Sequence, residues 1–194
     1  FSNQKKYKLF LCGFFLGLSF IIRYQFIILI GAIFLWSLVF KKNERKILNL
    51  FLVFIGIFFV FFIGVIVDYF GYGNFNFTFF NYFYVNFFGG KLEHFGADPW
   101  WFYFIELIIT FFPPIGLFFL ISLIVIPFYR FDNIIIFSTF IYILFFTFIT
   151  HKELRFLFPI LFFTPFIICH LFVLMKKFYF LKYIKQLLLF FNII

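Results

Sequence analysis

Long apolar runs separated by short polar clusters set the plan of this chain. Residues 47–67 (ILNLFLVFIGIFFVFFIGVIV) carry no charge over 21 positions, enough for one helix to cross a bilayer core of about 30 Å. Residues 133–150 and 156–175 are equally free of Asp, Glu, Lys and Arg and read as further crossings. Residues 9–22 and 26–40 predict a helical hairpin that turns outward at Arg23-Tyr24-Gln25. Its arms are short for full crossings, which places Arg23 below the outer surface, facing protein or water, because an Arg in lipid is costly. Residues 101–112 (WFYFIELIITFF) start a helix that Pro113-Pro114 must interrupt or kink, and the chain returns inward by Phe128. Pro159 and Pro165 fall inside the 156–175 crossing. Residues 176–194 read as the amphipathic, interfacial start of another segment. The pattern predicts an all-α integral membrane protein, a multi-spanning helical bundle with 1–194 as one transmembrane domain and no internal repeat.

Composition sharpens this picture. The chain is 66% hydrophobic and 12% charged, where a soluble domain carries about a quarter charged residues. Phe supplies 46 residues, and Ile, Asn and Lys are also common. All four have AT-rich codons, so single phenylalanines carry no functional weight. Cys12 and Cys169 sit in apolar stretches and read as small buried hydrophobes. No disulfide framework or metal-ligand spacing is present in the sequence. Beginning at Phe1 and ending in an apolar run, the sequence is expected to be part of a longer protein.

The charges give orientation. Of the 16 basic residues, 12 fall on one side of the predicted crossings, from Lys5, Lys6 and Lys8 through Lys41, Lys42, Arg45 and Lys46 to Arg130 and the Lys176–Lys185 group. The positive-inside rule makes that side cytoplasmic. The opposite side, periplasmic or lumenal, receives Arg23, Lys91, Lys152 and Arg155 together with Asp68, Glu93, Asp98, Glu106 and Glu153. Basic residues scattered between crossings are a topology signal, and no nucleic-acid partner is expected.

Two outer segments stand apart. The first, 68–100, is longer than an ordinary connection. Its aromatic content and its glycines at 71, 73, 89, 90 and 96 argue against disorder and for an interfacial loop. Trp100 and Trp101 are either an interfacial belt or the wall of a site for a sugar-bearing lipid. Asn76-Phe77-Thr78 matches a glycosylation acceptor pattern by chance composition. The second segment is HKELRFLFP, 151–159. On a helix, His151 and Arg155 would share a face with Lys152 beside them, and Pro159 would leave the Arg155 carbonyl without a helical donor. Three donors at headgroup depth suit a phosphate: Arg bidentately, Lys as a point charge, His as a donor. Glu153 would orient a cation or hold a sugar hydroxyl. The plainer reading is a short turn with snorkelling charges.

The residue order of this segment resembles the HKE-x-RF-x-(Y/F)-P signature of the glycosyltransferase family 22 mannosyltransferases. That family includes lumenal enzymes of GPI-anchor and N-glycan assembly and bacterial relatives. Asp68-Tyr69-Phe70-Gly71-Tyr72-Gly73, Asn81, Asn86 and Phe95-Gly96-Ala97-Asp98-Pro99-Trp100-Trp101-Phe102-Tyr103 are similar to the family's outer-loop run. Gly17-Leu18-Ser19-Phe20-Ile21-Ile22-Arg23 is similar to its G-(L/F)-x-F-x-x-R element. Tyr24-Gln25 where the family often has R-P after the glycine element, and Trp101-Phe102 within the P-W-x-W-Y element, look closer to the bacterial relatives.

The resemblance implies a GT-C type membrane fold with its active site on the outer face. It implies an inverting, metal-independent transfer from a polyprenyl-phosphate sugar donor to a glycan or glycolipid acceptor, with no cofactor. The family's catalytic carboxylate lies in an earlier outer loop, so no catalytic base is expected in this chain, which by itself would be inactive. His151, Lys152, Arg155 and Arg23 are the expected donor-phosphate ligands. Asp68, Glu153 and Asp98 are expected to orient acceptor or loop, and Trp100 and Tyr103 to stack on sugar or isoprenoid. His170 and Glu106 carry no expected role. Two other readings stay open: a flippase for lipid-linked sugars, which the broken helices favour, and a non-catalytic subunit of a glycosyltransferase complex.

Overall fold

The computed structural model describes residues 3–42, 44–75, 77–89, 96–111 and 113–175. The stretch 176–194 lies outside these residues, as do Asn76, Lys91, Glu93, Phe95 and the side chain of Asn86. Every regular element among the described residues is helical.

Helices α1 (Asn3–Ile22) and α2 (Phe26–Phe40) form the expected hairpin. Its turn at 23–25 is closed by Phe26 N–H donating to the Arg23 carbonyl and Ile27 N–H to that of Tyr24. Helix α3 (Lys46–Tyr72) packs along α1. Glycine makes this packing close: a Cβ at Gly13 would overlap the Val53 carbonyl, and one at Gly56 the Phe10 carbonyl. Small residues at such crossings let apolar helices approach backbone to backbone. Gly17 faces Val60 in the same seam, six residues before Arg23, so the seam sets where that arginine emerges.

Helix α3 is the one described helix that is unbroken, long and apolar enough to cross a membrane. It runs to Tyr72, five residues past the expected boundary, and ends where Gly73 takes a left-handed conformation (φ 74°) and donates to the Tyr69 carbonyl. Asp68 therefore sits on the last turns of α3, not in a loop. The expected outer loop also holds helix α4 (Thr78–Phe83) and a π-helical turn, Tyr84–Phe88. Phe79 of α4 packs edge-on to Phe20 (4.8 Å between ring centres) and Tyr24 (5.8 Å), which seats α4 on the α1–α2 corner.

Helices α5 (Phe102–Thr110) and α6 (Pro113–Val125) are the two halves of the segment that the proline pair was expected to break. Pro113 opens α6, where a missing N–H costs nothing. The halves pack closely, with Gly116 against the Leu107 carbonyl. A short turn, α7 (Pro127–Arg130), leads to α8 (Ile134–Phe148). Asn133 caps α8 by accepting from the Ile135 and Ile136 N–H groups. Helix α2 packs on α8, and α6 on the last helix.

The last of the expected crossings, 156–175, is not a continuous helix. A 3₁₀ turn (Leu154–Leu157), α9 (Phe158–Leu161) and α10 (Thr164–Met175) replace it, with a 62° bend between the two halves. Pro165, having no N–H, cannot donate to the Leu161 carbonyl, so an unbroken ladder would lose a bond at this point. Besides α3 and this bent pair, α2 and α8 are apolar helices of 15 residues each, shorter than a straight crossing needs. The core lies where α5, α6, α8 and the 157–171 stretch meet, around Tyr103, Leu107, Phe119, Tyr142, Leu157 and Ile160.

Candidate functional site

The HKELR segment is not helical at its start. Glu153 is extended (φ −135°, ψ 140°), and the 3₁₀ turn begins only at Leu154. In extended backbone, side chains alternate between faces. His151 and Glu153 meet and line one cavity, whereas Lys152 turns away from both. This corrects the expected helical face for His151 and Arg155. The two still meet, but through Glu153. Arg155 Nη2 donates to Glu153 Oε1 (2.9 Å), Arg155 Nε contacts Oε2, and His151 Nε2 lies 3.1 Å from Oε1. Partial burial pushes the Glu153 pKa up, but the bonds from His151 and Arg155 outweigh it and hold the carboxylate below its usual range.

Arg23 joins this cluster from the hairpin. Its Nη1 donates to the Arg155 carbonyl at 2.6 Å, and its guanidinium sits 5.2 Å from the centre of the Phe158 ring. That carbonyl also accepts from the Phe158 N–H in the 3₁₀ turn. Pro159 cannot supply the α-helical donor, so a lone pair stays open to Arg23. From beneath, the fully buried Tyr142 of α8 donates to the Phe156 carbonyl at 2.7 Å.

Together these groups edge a cavity of about 480 Å³. Its polar wall is Arg23, His151, Glu153 and Arg155. One apolar wall is Ile27 and Ile28 of α2 with Phe145 and Phe146 of α8. Tyr24 and Gln25 of the hairpin turn and Tyr82 and Phe83 of α4 close the remaining side. The Tyr24 and Tyr82 rings lie 4.9 Å apart. Burial raises the pKa of Tyr82, against the pull of the nearby Arg155, so its hydroxyl keeps its proton. Two guanidinium groups against one carboxylate leave the wall with a net positive charge.

Other expected site residues lie elsewhere. Lys152 is 5% exposed, and its ammonium donates to the Ile149 (2.5 Å) and Asp98 (3.0 Å) carbonyls instead of entering the cavity. Burial pushes its pKa down, and the Asp98 carboxylate opposes that. Asp98 is tied to the same turn. Tyr103 is fully buried in the core, out of reach of a ligand in the cavity. Trp100 is 61% exposed and packs edge-on to Trp101, outside the cavity lining. Asp68 edges a second cavity of about 210 Å³ behind Tyr24, which lines both. Tyr24, Gln25 and Tyr82 are cavity residues that sequence reasoning missed; the only signal was the outward turn at Arg23 and the aromatic density of the loop. Among the described residues, no three His, Cys, Asp or Glu side chains converge on a metal site.

Among the described residues the fold is all-helical, with one helix long and apolar enough to cross a membrane, and its pocket sets cationic side chains beside an apolar side. Residues 2–194 match the family model described as the Alg9-like mannosyltransferase family. The chain belongs to this family and is a glycosyltransferase of the mannosyltransferase class. No curated protein and no solved structure matches it.

Proposed function

We propose that the 480 Å³ cavity receives the phosphate of a polyprenyl-phosphate sugar. Mannose then passes with inversion to a glycan or glycolipid acceptor on the periplasmic or lumenal face of a multi-spanning bundle. The observation that carries this is the Arg23–Arg155–Glu153 arrangement beside an apolar wall. A sugar phosphodiester has one negative charge, which the wall's net positive charge meets. As the glycosidic bond breaks, the departing phosphate gains a second charge. Guanidinium groups already held in place lower the cost of that charge without reorganising. His151, at the same wall, is the further donor. The Ile27, Ile28, Phe145 and Phe146 side suits the first isoprene units, and the Tyr24–Tyr82 side suits the sugar. Glu153 fixes Arg155 in place. Asp68, in the cavity behind Tyr24, is assigned to the acceptor. The base that deprotonates the acceptor hydroxyl is assigned to none of these residues.

The test is sugar transfer by the full-length protein in membranes supplied with polyprenyl-phosphate mannose, at matched expression. Arg155→Ala and Arg23→Ala should each lower transfer about a hundredfold, the scale for removing one preorganised donor. Wild-type transfer matched by both variants, or no wild-type transfer from any polyprenyl-phosphate sugar, would sink the reading.

A further inference from the structure

Lys152 and Asp98 form a closed ring of hydrogen bonds between two segments 54 residues apart. Asp98 N–H donates to the Thr150 carbonyl (2.9 Å). Lys152 N–H donates to Asp98 Oδ2 (3.0 Å), and Lys152 Nζ donates to the Asp98 carbonyl (3.0 Å). The same ammonium takes the Ile149 carbonyl (2.5 Å) at the C-terminal cap of α8, where a helix leaves carbonyls unpaired and a cation is favourable. The approach to the ring is shaped by Gly96, whose φ of 86° suits glycine. Its exit is Pro99, whose carbonyl accepts from the Phe102 N–H as α5 begins.

The ring's consequence lies on the opposite face of the extended segment. His151 and Glu153 flank Lys152 and line the cavity that Lys152 does not. Anchoring Lys152 underneath fixes the direction of both. Resting on the assignment of the cavity to the donor phosphate, we propose that Lys152 and Asp98 touch no substrate. They act as one positioning pair, clasping the 96–99 segment to the 149–152 turn so that His151 and Glu153 are presented to the phosphate. This removes Lys152 from the phosphate ligands and Asp98 from the acceptor residues.

The experiment is a double-mutant cycle on the purified full-length protein, with polyprenyl-phosphate mannose as donor and kcat and KM measured separately. Hydrogen exchange at the Asp98 and Lys152 amides is followed in parallel. Lys152→Met and Asp98→Ala should each lower kcat about a hundredfold, the scale of an ångström-sized misplacement. The double variant should lose no more than either single one, because both break the same ring. Asp98→Asn, which keeps an acceptor oxygen for the Lys152 N–H, should stay close to wild type. In the Met and Ala variants both amides should exchange faster while α1 and α3 stay protected.

Multiplying losses would overturn the proposal, as would unchanged exchange. So would an Asp98→Ala protein with wild-type transfer beside a dead Lys152→Met, which would return Lys152 to the phosphate. If α1 and α3 also lose protection, Lys152→Gln, which keeps one donor, replaces Lys152→Met and the same outcomes decide. If the wild type transfers from no polyprenyl-phosphate sugar, the donor assignment falls, and the exchange data alone still show whether the clasp exists.

Discussion

The Arg23 guanidinium reaches the Arg155 carbonyl oxygen, 132 positions along the chain, at 2.6 Å. This bond ties the α1–α2 turn to the 3₁₀ turn at 154–157, and both ends border the same cavity. Its acceptor is open because Pro159 follows four residues later. One imino acid thus prepares the oxygen that a distant arginine uses.

Arg23→Lys tests whether the bond or the charge matters. A lysine keeps the charge but cannot both reach the carbonyl and lie over the Phe158 ring as a planar fork does. A hydrogen bond from a charged group is worth about 1.5–3 kcal/mol, which is roughly a 10- to 100-fold change in rate if it is all expressed at the transition state. Transfer by Arg23→Lys should fall about tenfold, between wild type and Arg23→Ala. Equal rates for Lys and wild type would mean that only charge is needed.

Tyr142→Phe removes the bond to the Phe156 carbonyl and little else, because the ring stays packed at 0% exposure. A part-buried acceptor then loses this donor, at a cost of up to about 1–3 kcal/mol. Unfolding in detergent should show that loss. Transfer should fall as well, since Phe156 follows Arg155 in the turn. An unchanged midpoint with full activity would show that the turn needs no support from α8.

The parts of this molecule that were legible in the sequence are those with one dominant physical cause. The hairpin could be read because two apolar runs stop at Arg23-Tyr24-Gln25, and the α5–α6 break because Pro113 cannot donate. Asp68 was misplaced because the left-handed cap at Gly73 lengthens α3, and a glycine-rich loop offers several places for such a cap. The direction of Lys152 was not legible because a helical period across 151–155 places it beside His151 and Arg155. In extended backbone the same residues alternate, and the lysine turns to the interior. For Tyr82 the only signal was the aromatic density of the loop, and nothing local selects the ring that faces inward. That choice comes from Phe79 locking against Phe20 and Tyr24.

The acid side of the pH profile follows from Glu153. Its folded-state pKa lies below the ordinary carboxylate value, because the bonds from His151 and Arg155 outweigh burial. The stabilisation it provides is therefore fully present above the unfolded-state value of about 4.3. It is lost only as pH falls through the lower folded value. Donor-phosphate binding should not lose Glu153's support between pH 7 and about pH 5. Glu153→Gln should weaken binding across that range without introducing a new titration. A binding loss in the wild type centred between about pH 5 and 6 and absent in Glu153→Gln would contradict the ionised cluster.

The α1–α3 seam gives a prediction with a built-in control. Gly56→Ala places a methyl against the Phe10 carbonyl and the Gly13 backbone, and backbone cannot rotate aside as a side chain can. Overpacking of this kind costs about 1–3 kcal/mol, so the helices must separate. Gly71 lies on the same helix, and a methyl added there would meet nothing within 4 Å. At that position alanine should be neutral or stabilising by up to about 1 kcal/mol, since glycine is the poorer helix former. Detergent unfolding should put Gly56→Ala below wild type and Gly71→Ala at or above it. Because Gly17 of the same seam sets where Arg23 emerges, Gly56→Ala should also weaken polyprenyl-phosphate binding while Gly71→Ala leaves it unchanged. Equal behaviour of the two variants would show that α1 and α3 do not meet through their glycines.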